Sequence, residues 1–235
     1  MVRLSYLISN NFEIYILGYC VQKPPEIIQQ HLIIFSRYPE AGKTKTRLIP
    51  ALGPQGAANL QREMTEYILS KVKQLQKQIP LSLELRFAGG NAQLMKDWLG
   101  SDIVYQPQGE GDLGMRMARS LSEAFQNGAE KSIIIGTDCP SIELGILKQA
   151  FEHLTDKDLV LGPAIDGGYY LIALCRSIPE LFVDIDWGTE KVFQQTMDIT
   201  KKLDLAVGHL PTLADIDRPE DLVIWEEIHR QRGNR

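Results

Sequence analysis

The sequence predicts an α/β protein with a Rossmann-like, mostly parallel sheet covered by helices on both faces. Strand-like and helix-like segments alternate along the chain, which is typical of βαβ units. The run 133–135 is three isoleucines bounded by Gly136 and Pro140, as expected of a buried central strand. Hydrophobic residues make up 44% of the 235 residues and charged residues 23%, the balance of an ordinary globular protein.

Each predicted element follows from its hydrophobic period and its flanking turn residues. Apolar runs and alternating runs predict strands, whereas apolar residues three or four apart predict helices. Met64, Ile68, Val72 and Leu75 show the helical spacing, and Leu81–Phe87 alternates as a half-buried strand does. Strands are expected near 32–36, 81–87, 103–106, 133–135, 159–163, 169–175 and 206–210. Helices are expected over 53–77, 92–99, 114–126 and 146–154, from 189, and from 218.

The chain divides into an N-terminal extension of unknown role, residues 1–30, and a predicted domain over 31–235. Leu4–Val21 is too interrupted by polar residues to span a membrane and lacks the features of a secretory signal. The net charge of −5 disfavours a nucleic-acid partner. Three dispersed cysteines show no metal spacing, so we expect reduced thiols in a cytoplasmic protein, with Cys139 as buried filler. Nothing in the sequence specifies an oligomeric state.

Asp138 follows the predicted central strand, because Pro140 cannot continue its hydrogen bonding. Ligands of open α/β sheets bind outside the carboxyl ends of the strands. A carboxylate there is suited to hold a divalent metal against a phosphate. The alternative interpretation is that Asp138 caps a helix that begins after Ser141.

A basic loop follows the first predicted strand and contains Gly42, Lys43, Lys45 and Arg47. Glycine lets main-chain amides approach an anion, and the three cations can neutralise a diphosphate or triphosphate. The loop is not a P-loop, because Arg37 stands where that motif requires glycine, and this disfavours a P-loop kinase. The alternative is an ordinary solvated loop.

Two glycine-rich segments are further candidates. In 106–114, Gln106, Gly111 and Asp112 are candidates for contacting a nucleotide base or ribose, although Asp112 also suits a helix N-cap. In 166–170, Asp166 and the glycines after it fit either a hairpin turn or a pocket for the sugar or acceptor.

Two later segments each allow a purely structural interpretation. Trp187 is expected either in the core or stacked on a ring, with Thr189 as an N-cap. Asp217 with Glu220 resembles a capping box.

Taken together, the ordered motifs resemble a known bacterial family. They are Pro-x-x-Gly-x-x-Lys-Thr-Arg-Leu-like, Gly-Asp-Leu-Gly, Gly-Thr-Asp-Cys-Pro, Asp-Gly-Gly-Tyr-Tyr, Trp-Gly-Thr and Asp-Ile-Asp-x-Pro-Glu-Asp-Leu. The chain is similar over about residues 31–230 to the glycosyltransferase family associated with arsenosugar biosynthesis, formerly a domain of unknown function. That family lies within the nucleotide-diphospho-sugar transferase superfamily of the GT-A fold.

The resemblance implies roles for particular residues. It places Mg²⁺ or Mn²⁺ on Asp138, with a second ligand from Asp217 or, as the weaker candidate, Asp215. It places the nucleotide phosphates on Gly42, Lys45 and Arg47. Many GT-A glycosyltransferases carry Asp-x-Asp at the metal, whereas Gly136 stands here at the first position, a departure that favours nucleotidyltransferases.

The expected function is transfer of a sugar from a nucleoside-diphospho-sugar to a small-molecule acceptor. Lys45 and Arg47 are expected to stabilise the leaving group with the metal, and Asp166 to orient sugar or acceptor. The alternatives are nucleotidyl transfer from a nucleoside triphosphate to a small phosphorylated molecule, and a non-catalytic nucleotide-binding module.

Overall fold

The computed structural model of the chain describes residues 13–16, 19–22 and 29–233. Most of the predicted extension therefore lies outside the described residues. Within it, strands β1 (Glu13–Ile16) and β2 (Tyr19–Gln22) pair antiparallel. The division at residue 30 stays a prediction.

A seven-stranded sheet forms the centre of the described fold, in the order β5-β4-β3-β6-β8-β7-β9. All neighbouring pairs are parallel except β6 with β8 and β8 with β7, so β8 alone runs against the rest. This confirms the predicted mixed, mostly parallel sheet. The strands are β3 (Gln30–Arg37), β4 (Ser82–Ala88), β5 (Val104–Pro107), β6 (Lys131–Gly136), β7 (Leu159–Pro163), β8 (Tyr169–Leu174) and β9 (Val207–His209).

Six α-helices are assigned in the described residues, close to their predicted positions. Gly53 leaves the helical region at φ 70° within α1, so the regular helix resumes at Pro54, as predicted. The helix predicted from Thr189 begins later, at Val192, and the closing helix is preceded by a short 3-10 turn over Pro219–Asp221. The helices are α1 (Ile49–Gln76), α2 (Ala92–Leu99), α3 (Leu113–Gln126), α4 (Leu144–His153), α5 (Val192–Lys202) and α6 (Leu222–Gly233).

Alternate residues of the strands pack into two cores, one on each face of the sheet. Leu32 and Ile34 of β3 pack with α1, α2 and α4, while Ile33 and Phe35 pack with α3 and α5. The period of two in a strand, combined with helices on both faces, makes every central residue of β3 buried.

The half-buried character predicted for β4 is wrong, because both of its faces are covered. Glu84 and Arg86 occupy the face that alternation marked as solvent-exposed, yet both are buried. Arg86 pairs with Glu84 at 2.6 Å and with Glu123 of α3, so the helix supplies the countercharge that burial requires.

Candidate active site at the carboxyl edge of the sheet

A cavity of about 620 Å³ lies outside the carboxyl ends of β3 and β6. These two strands are neighbours in the sheet, and β3 connects in sequence to β4 on its other side. The cavity therefore lies at the topological switch point, where open α/β sheets bind ligands, and its volume suits a small organic molecule. Its polar lining includes Arg37, Lys43, Lys45, Arg47, Gln61, Gln108, Arg116, Asp138, Asp166, Asp215 and Asp217.

Asp138 lines this cavity and does not cap a helix. Helix α4 begins at Leu144 with Glu143 at its N-cap position, seven residues beyond the end of β6. The carboxylate of Asp138, 59% exposed, instead accepts from the Lys45 ammonium at 2.8 Å. The capping interpretation is therefore wrong.

Lys45 is the most enclosed cation of the basic loop. Its side chain is only 4% exposed, and its ammonium also donates to the main-chain oxygen of Ile216 at 2.6 Å. Its backbone is left-handed, with φ 46° and ψ 49°, a region that residues other than glycine seldom occupy. The loop is thus folded against the site and is not merely solvated.

The rest of the loop is arranged around Lys45. Gly42 supplies the positive φ of 80° that the turn requires. The Thr44 hydroxyl donates to the Tyr38 carbonyl at 2.9 Å. Arg47 forms an ion pair with Asp217, and exposed Lys43 pairs with Glu40 at 2.7 Å.

The segment before α6 is tied directly to Asp138. The Ile216 amide donates to the Asp138 carbonyl at 2.8 Å, and the thiol of Cys139 donates to the Ala214 carbonyl at 3.2 Å. Burial, with the nearby charge of Asp215, raises the pKa of the Cys139 thiol to about 12. Cys139 is a buried packing and hydrogen-bonding residue, not a thiolate nucleophile.

Asp217 is free of the capping role that its sequence context suggested. The carboxylate of Asp221 accepts from the amides of Asp217 at 3.0 Å and Arg218 at 2.7 Å. The box is therefore formed one residue later than predicted, and the Asp217 side chain faces the cavity and Arg47.

The acidic residues of the cavity interact with one another. Burial raises the pKa of Asp215, and the charges of Asp166, Asp138 and Asp217 raise it further. Their oxygens are the ligands that Mg²⁺ prefers. Within the described part of the chain, no three His, Cys, Asp or Glu side chains are grouped closely enough to hold a metal by themselves. The donor set therefore fits Mg²⁺ held by one or two carboxylates plus substrate phosphates and water, the usual mode for that ion.

A buried polar network beneath the cavity was missed by the sequence analysis. The Gln61 amide of α1 donates to the hydroxyls of Thr137 and Thr65, each at 3.1 Å, and the Ser36 hydroxyl lies 3.0 Å from that of Thr65. This network joins α1 to the ends of β3 and β6, and so positions the residue before Asp138. Polar residues on the apolar face of a predicted helix were the available signal.

The glycine-rich segment 106–114 contributes different residues from those predicted. Gln106, Gly111 and Asp112 do not line the cavity. Asp112 caps α3 by accepting from the Met115 amide at 2.8 Å.

Two other polar side chains from this region do line the cavity. The Gln108 amide donates to the carbonyls of Ser36 and Arg86, each at 3.2 Å, and Arg116 lies beside it. Gln108 directly follows β5, whereas the position of Arg116 depends on how α3 packs, which the motif alone does not reveal.

Asp166 serves as both turn residue and cavity residue. It accepts from the Gly168 amide at 2.9 Å in the hairpin between β7 and β8, and it lines the cavity. Gly167, at φ 89°, lies so close to the backbone of Glu190 that a Cβ would be 2.6 Å from its Cα. The glycine pair therefore brings the Asp166 turn against the start of α5.

Trp187 packs against a core and also borders the cavity, and its stacking on the ring of a ligand stays a prediction. Its indole stacks near Phe182 and meets Tyr169 edge-on, with centroids 6.4 and 6.3 Å apart. A Cβ on Gly114 would lie 2.6 Å from the indole Cε2. Thr189 is not an N-cap, since α5 begins at Val192 and the Thr189 hydroxyl donates to the Asp186 carbonyl at 2.8 Å.

No helix among the described residues is long and apolar enough to cross a membrane.

Comparison with known proteins places these features in a family. The profile of a family described as "Uncharacterized protein conserved in bacteria (DUF2064)" matches residues 71–189. A crystal structure from Desulfovibrio desulfuricans G20, of a protein proposed to be a nucleotide-diphospho-sugar transferase, superposes with a TM-score of 0.76 and 32% identity. The match covers 81% of this chain and 83% of that one. No curated protein matches the chain in sequence.

More distant structures share the fold. The 4-diphosphocytidyl-2C-methyl-D-erythritol synthase of Anaerococcus prevotii DSM 20548 superposes with a TM-score of 0.58 at 11% identity, covering 87% of this chain and 98% of its own. CMP:2-keto-3-deoxy-manno-octonic acid synthetase complexed with CTP gives 0.54 at 10% identity, covering 86% and 99%.

Proposed function

Because the chain belongs to the DUF2064 family of proteins conserved in bacteria, we propose that it transfers a sugar from a nucleoside-diphospho-sugar to the hydroxyl of a small acceptor. It is an α/β enzyme of the transferase class, within the nucleotide-diphospho-sugar transferase superfamily. A narrower form of the proposal, taken from the family resemblance, is that the acceptor belongs to arsenosugar biosynthesis.

One observation carries the proposal: two of the three cations of the loop after β3 meet the two acids proposed as metal ligands inside one cavity. Lys45 contacts Asp138, and Arg47 contacts Asp217. A site of this kind offers positive charge to a diphosphate and carboxylates to a divalent cation at the same place.

Each residue has a distinct part in the proposed reaction. Lys45 and Arg47 bind the diphosphate and stabilise the negative charge that develops on the nucleoside diphosphate as it leaves. Asp138 and Asp217 would hold the divalent cation, which would supply further charge stabilisation to the leaving diphosphate. Asp166, in the turn before β8 and lining the cavity, orients the sugar or the acceptor.

Nucleotidyl transfer is the second candidate, and the observation that favours it is Gly136 at the end of β6. This residue leaves a lone acid, Asp138, where many GT-A glycosyltransferases place two. The same cavity suits either reaction, because in both the enzyme holds the phosphates of a nucleotide beside a cation.

The product distinguishes the two reactions. The purified protein is incubated with Mn²⁺, a panel of small hydroxyl and phosphate acceptors, and either nucleotide sugars or nucleoside triphosphates. Release of a nucleoside diphosphate from a nucleotide sugar supports glycosyl transfer. Release of pyrophosphate from a triphosphate, with no diphosphate from any nucleotide sugar, rejects it in favour of nucleotidyl transfer.

A further inference from the structure

Two of the three cations of the basic loop, Lys45 and Arg47, lie on oxygens that a divalent metal would use. The Lys45 ammonium is 2.8 Å from Asp138 Oδ1 and 2.6 Å from the Ile216 carbonyl oxygen, and Arg47 bonds the Asp217 carboxylate. Carboxylate and main-chain carbonyl oxygens are both ligands for hard cations. The protein thus already carries two cations at these oxygens.

The surrounding structure fixes the position of Lys45. Its side chain is almost fully buried, whereas Lys43 in the same loop is largely exposed. Its left-handed backbone is disfavoured for a residue with a side chain, and such conformations concentrate at functional and switching positions. The ion pair with Asp138 and the bond to Ile216 hold the loop in this arrangement.

A diphosphate would compete for these cations, because phosphate oxygens are strong partners for ammonium and guanidinium groups. A metal would compete for the acids, but two carboxylates alone are a poor Mg²⁺ site without phosphate and water ligands. The loop cations also repel a divalent cation at short range. Metal and nucleotide each gain when the other is present.

We propose that Lys45, assisted by Arg47, is an internal counter-cation that keeps the divalent metal off Asp138 and Asp217 until a nucleotide's phosphates draw the loop cations away. Nucleotide and metal binding are then positively coupled, and each raises the affinity of the other by the same factor. This inference rests on the proposed nucleotide and metal site.

The first test uses Mn²⁺ alone, with free Mn²⁺ measured by electron paramagnetic resonance on nucleotide-free protein. Lys45→Met should bind Mn²⁺ at least about tenfold more tightly than wild type, because the resident cation is gone. Arg47→Gln should change affinity in the same direction by a smaller factor. If Lys45→Met does not fold, Arg47→Gln still tests the inference, because Arg47 is exposed and its replacement should not disturb folding. Lys201→Met on α5, which removes the same charge from a lysine that pairs with Asp198 outside the cavity, should leave Mn²⁺ affinity near wild type.

The second test repeats the titration with UDP, GDP, CDP or ADP, using concentrations corrected for Mn²⁺ bound to free nucleotide. In wild type the nucleotide that binds most tightly should raise Mn²⁺ affinity by at least about tenfold. In Lys45→Met the factor by which nucleotide raises Mn²⁺ affinity should fall towards one. Unchanged Mn²⁺ affinity in both loop variants, or equal wild-type affinity with and without nucleotide, would overturn the inference.

The outcomes separate this inference from the proposed function. Nucleotide and Mn²⁺ that bind independently reject the coupling and leave the site intact. Absence of nucleotide binding in every variant rejects the proposed function and the coupling together. In a further outcome, Lys45→Met binds Mn²⁺ but wild type does not bind it even when nucleotide is present. Lys45 then replaces the metal permanently, and this result also rejects the proposed exchange of Lys45 for metal.

Discussion

Asp138 is a residue whose charge should matter more than its shape. Asn preserves the side chain's size and hydrogen-bonding capacity, so Asp138→Asn tests the charge alone. Losing a residue that only orients a metal ligand weakens metal binding by about 10–100-fold. We expect the loss of Asp138, as a direct ligand, to lower Mn²⁺ affinity in the presence of nucleotide by at least as much. Calorimetry with Mn²⁺ and nucleoside diphosphate measures this.

The metal-free stability of Asp138→Asn provides its control. Loss of the Lys45 ion pair and relief of repulsion with Asp215 oppose each other, and Asp138 is largely solvated. We expect the metal-free melting temperature to stay close to wild type. Normal Mn²⁺ and nucleotide binding by the variant would end the assignment of Asp138 as a metal ligand.

Arg47 should contribute to nucleotide binding and little to folding. Its side chain is mostly exposed and pairs with Asp217, so Arg47→Ala removes few packing contacts. Losing a charge-assisted hydrogen bond to a phosphate should weaken nucleoside diphosphate binding by about 1.5–3 kcal/mol. Arg62→Ala, on α1 and paired with Glu66, is the matched control. Equal affinities for wild type and Arg47→Ala by calorimetry would remove Arg47 from the site.

At the scale of elements, the contact between Trp187 and α3 reverses the usual effect of a glycine substitution. Replacing a helical glycine by alanine normally stabilises a protein by up to about 1 kcal/mol. At Gly114 the new Cβ would collide with the rigid indole, so Gly114→Ala should be destabilising and should shift the tryptophan fluorescence.

Gly145 of α4 gives the comparison, because a Cβ there meets nothing within 4 Å. Gly145→Ala should leave stability equal to wild type or slightly higher. Urea unfolding of both variants measures the difference. If the two substitutions had the same effect, Trp187 would not be held against α3.

The buried charges of β4 should make stability depend on pH. Burial alone would raise the pKa of Glu84, but the hydrogen bond with His31 and the charge of Arg86 outweigh it and lower the pKa below its usual 4.5. Because the folded pKa is lowered, the stabilisation is fully present above the unfolded pKa. It is lost as pH falls through the folded value.

Glu84→Gln tests this dependence. At pH 7 the variant should be less stable than wild type by about 1.5–3 kcal/mol, the value of a hydrogen bond to a charged group. Below the usual pKa of glutamate the difference should shrink towards zero. Urea unfolding at several pH values measures it, and a difference that is constant or grows in acid would contradict the assignment.

The sequence predicts the elements well where hydrophobic period and turn residues agree, as in the strand 159–163 that the structure reproduces. It fails at β4, since alternation marks Arg86 as exposed and cannot reveal that Glu123 arrives from α3. Helix starts are likewise misplaced where a carboxylate caps from an unexpected position, as Asp221 does before α6.

Site prediction follows the same division. Residues just after strands, such as Asp138 and Lys45, are placed at the sheet's carboxyl edge by topology, and the structure brings them together. Gln61 could not be found this way, because it comes from within α1 and only tertiary packing brings it to the cavity. Gln108 directly follows β5 and so obeys the rule, but the glycine-rich motif pointed to Gln106, Gly111 and Asp112 instead.

At the scale of the whole molecule, the site joins segments from nearly the full described length of the chain. Lys45 bonds Ile216, and Lys71 of α1 bonds the Ile142 carbonyl at 2.9 Å and Glu143 at 2.7 Å, which secures the segment after Asp138. A ligand that bridges the loop after β3, the end of β6 and the segment before α6 therefore connects distant parts of one fold. Binding there should stabilise the protein as a whole and not a single loop.

The expected size of that stabilisation follows from mass action. A ligand at about 100 times its Kd adds about 2.7 kcal/mol to the free energy of unfolding. For a chain of this length about 1 kcal/mol raises the melting temperature by about 2–4 °C, so the matching nucleoside diphosphate or nucleotide sugar should raise it by roughly 5–11 °C. Thermal unfolding with a panel of nucleotides, each with and without Mn²⁺, identifies the base. Asp138→Asn should lose the Mn²⁺-dependent part of the rise and Arg47→Ala most of the Mn²⁺-independent part. A panel in which no nucleotide raises the melting temperature at any concentration would argue against a nucleotide site at this edge of the sheet.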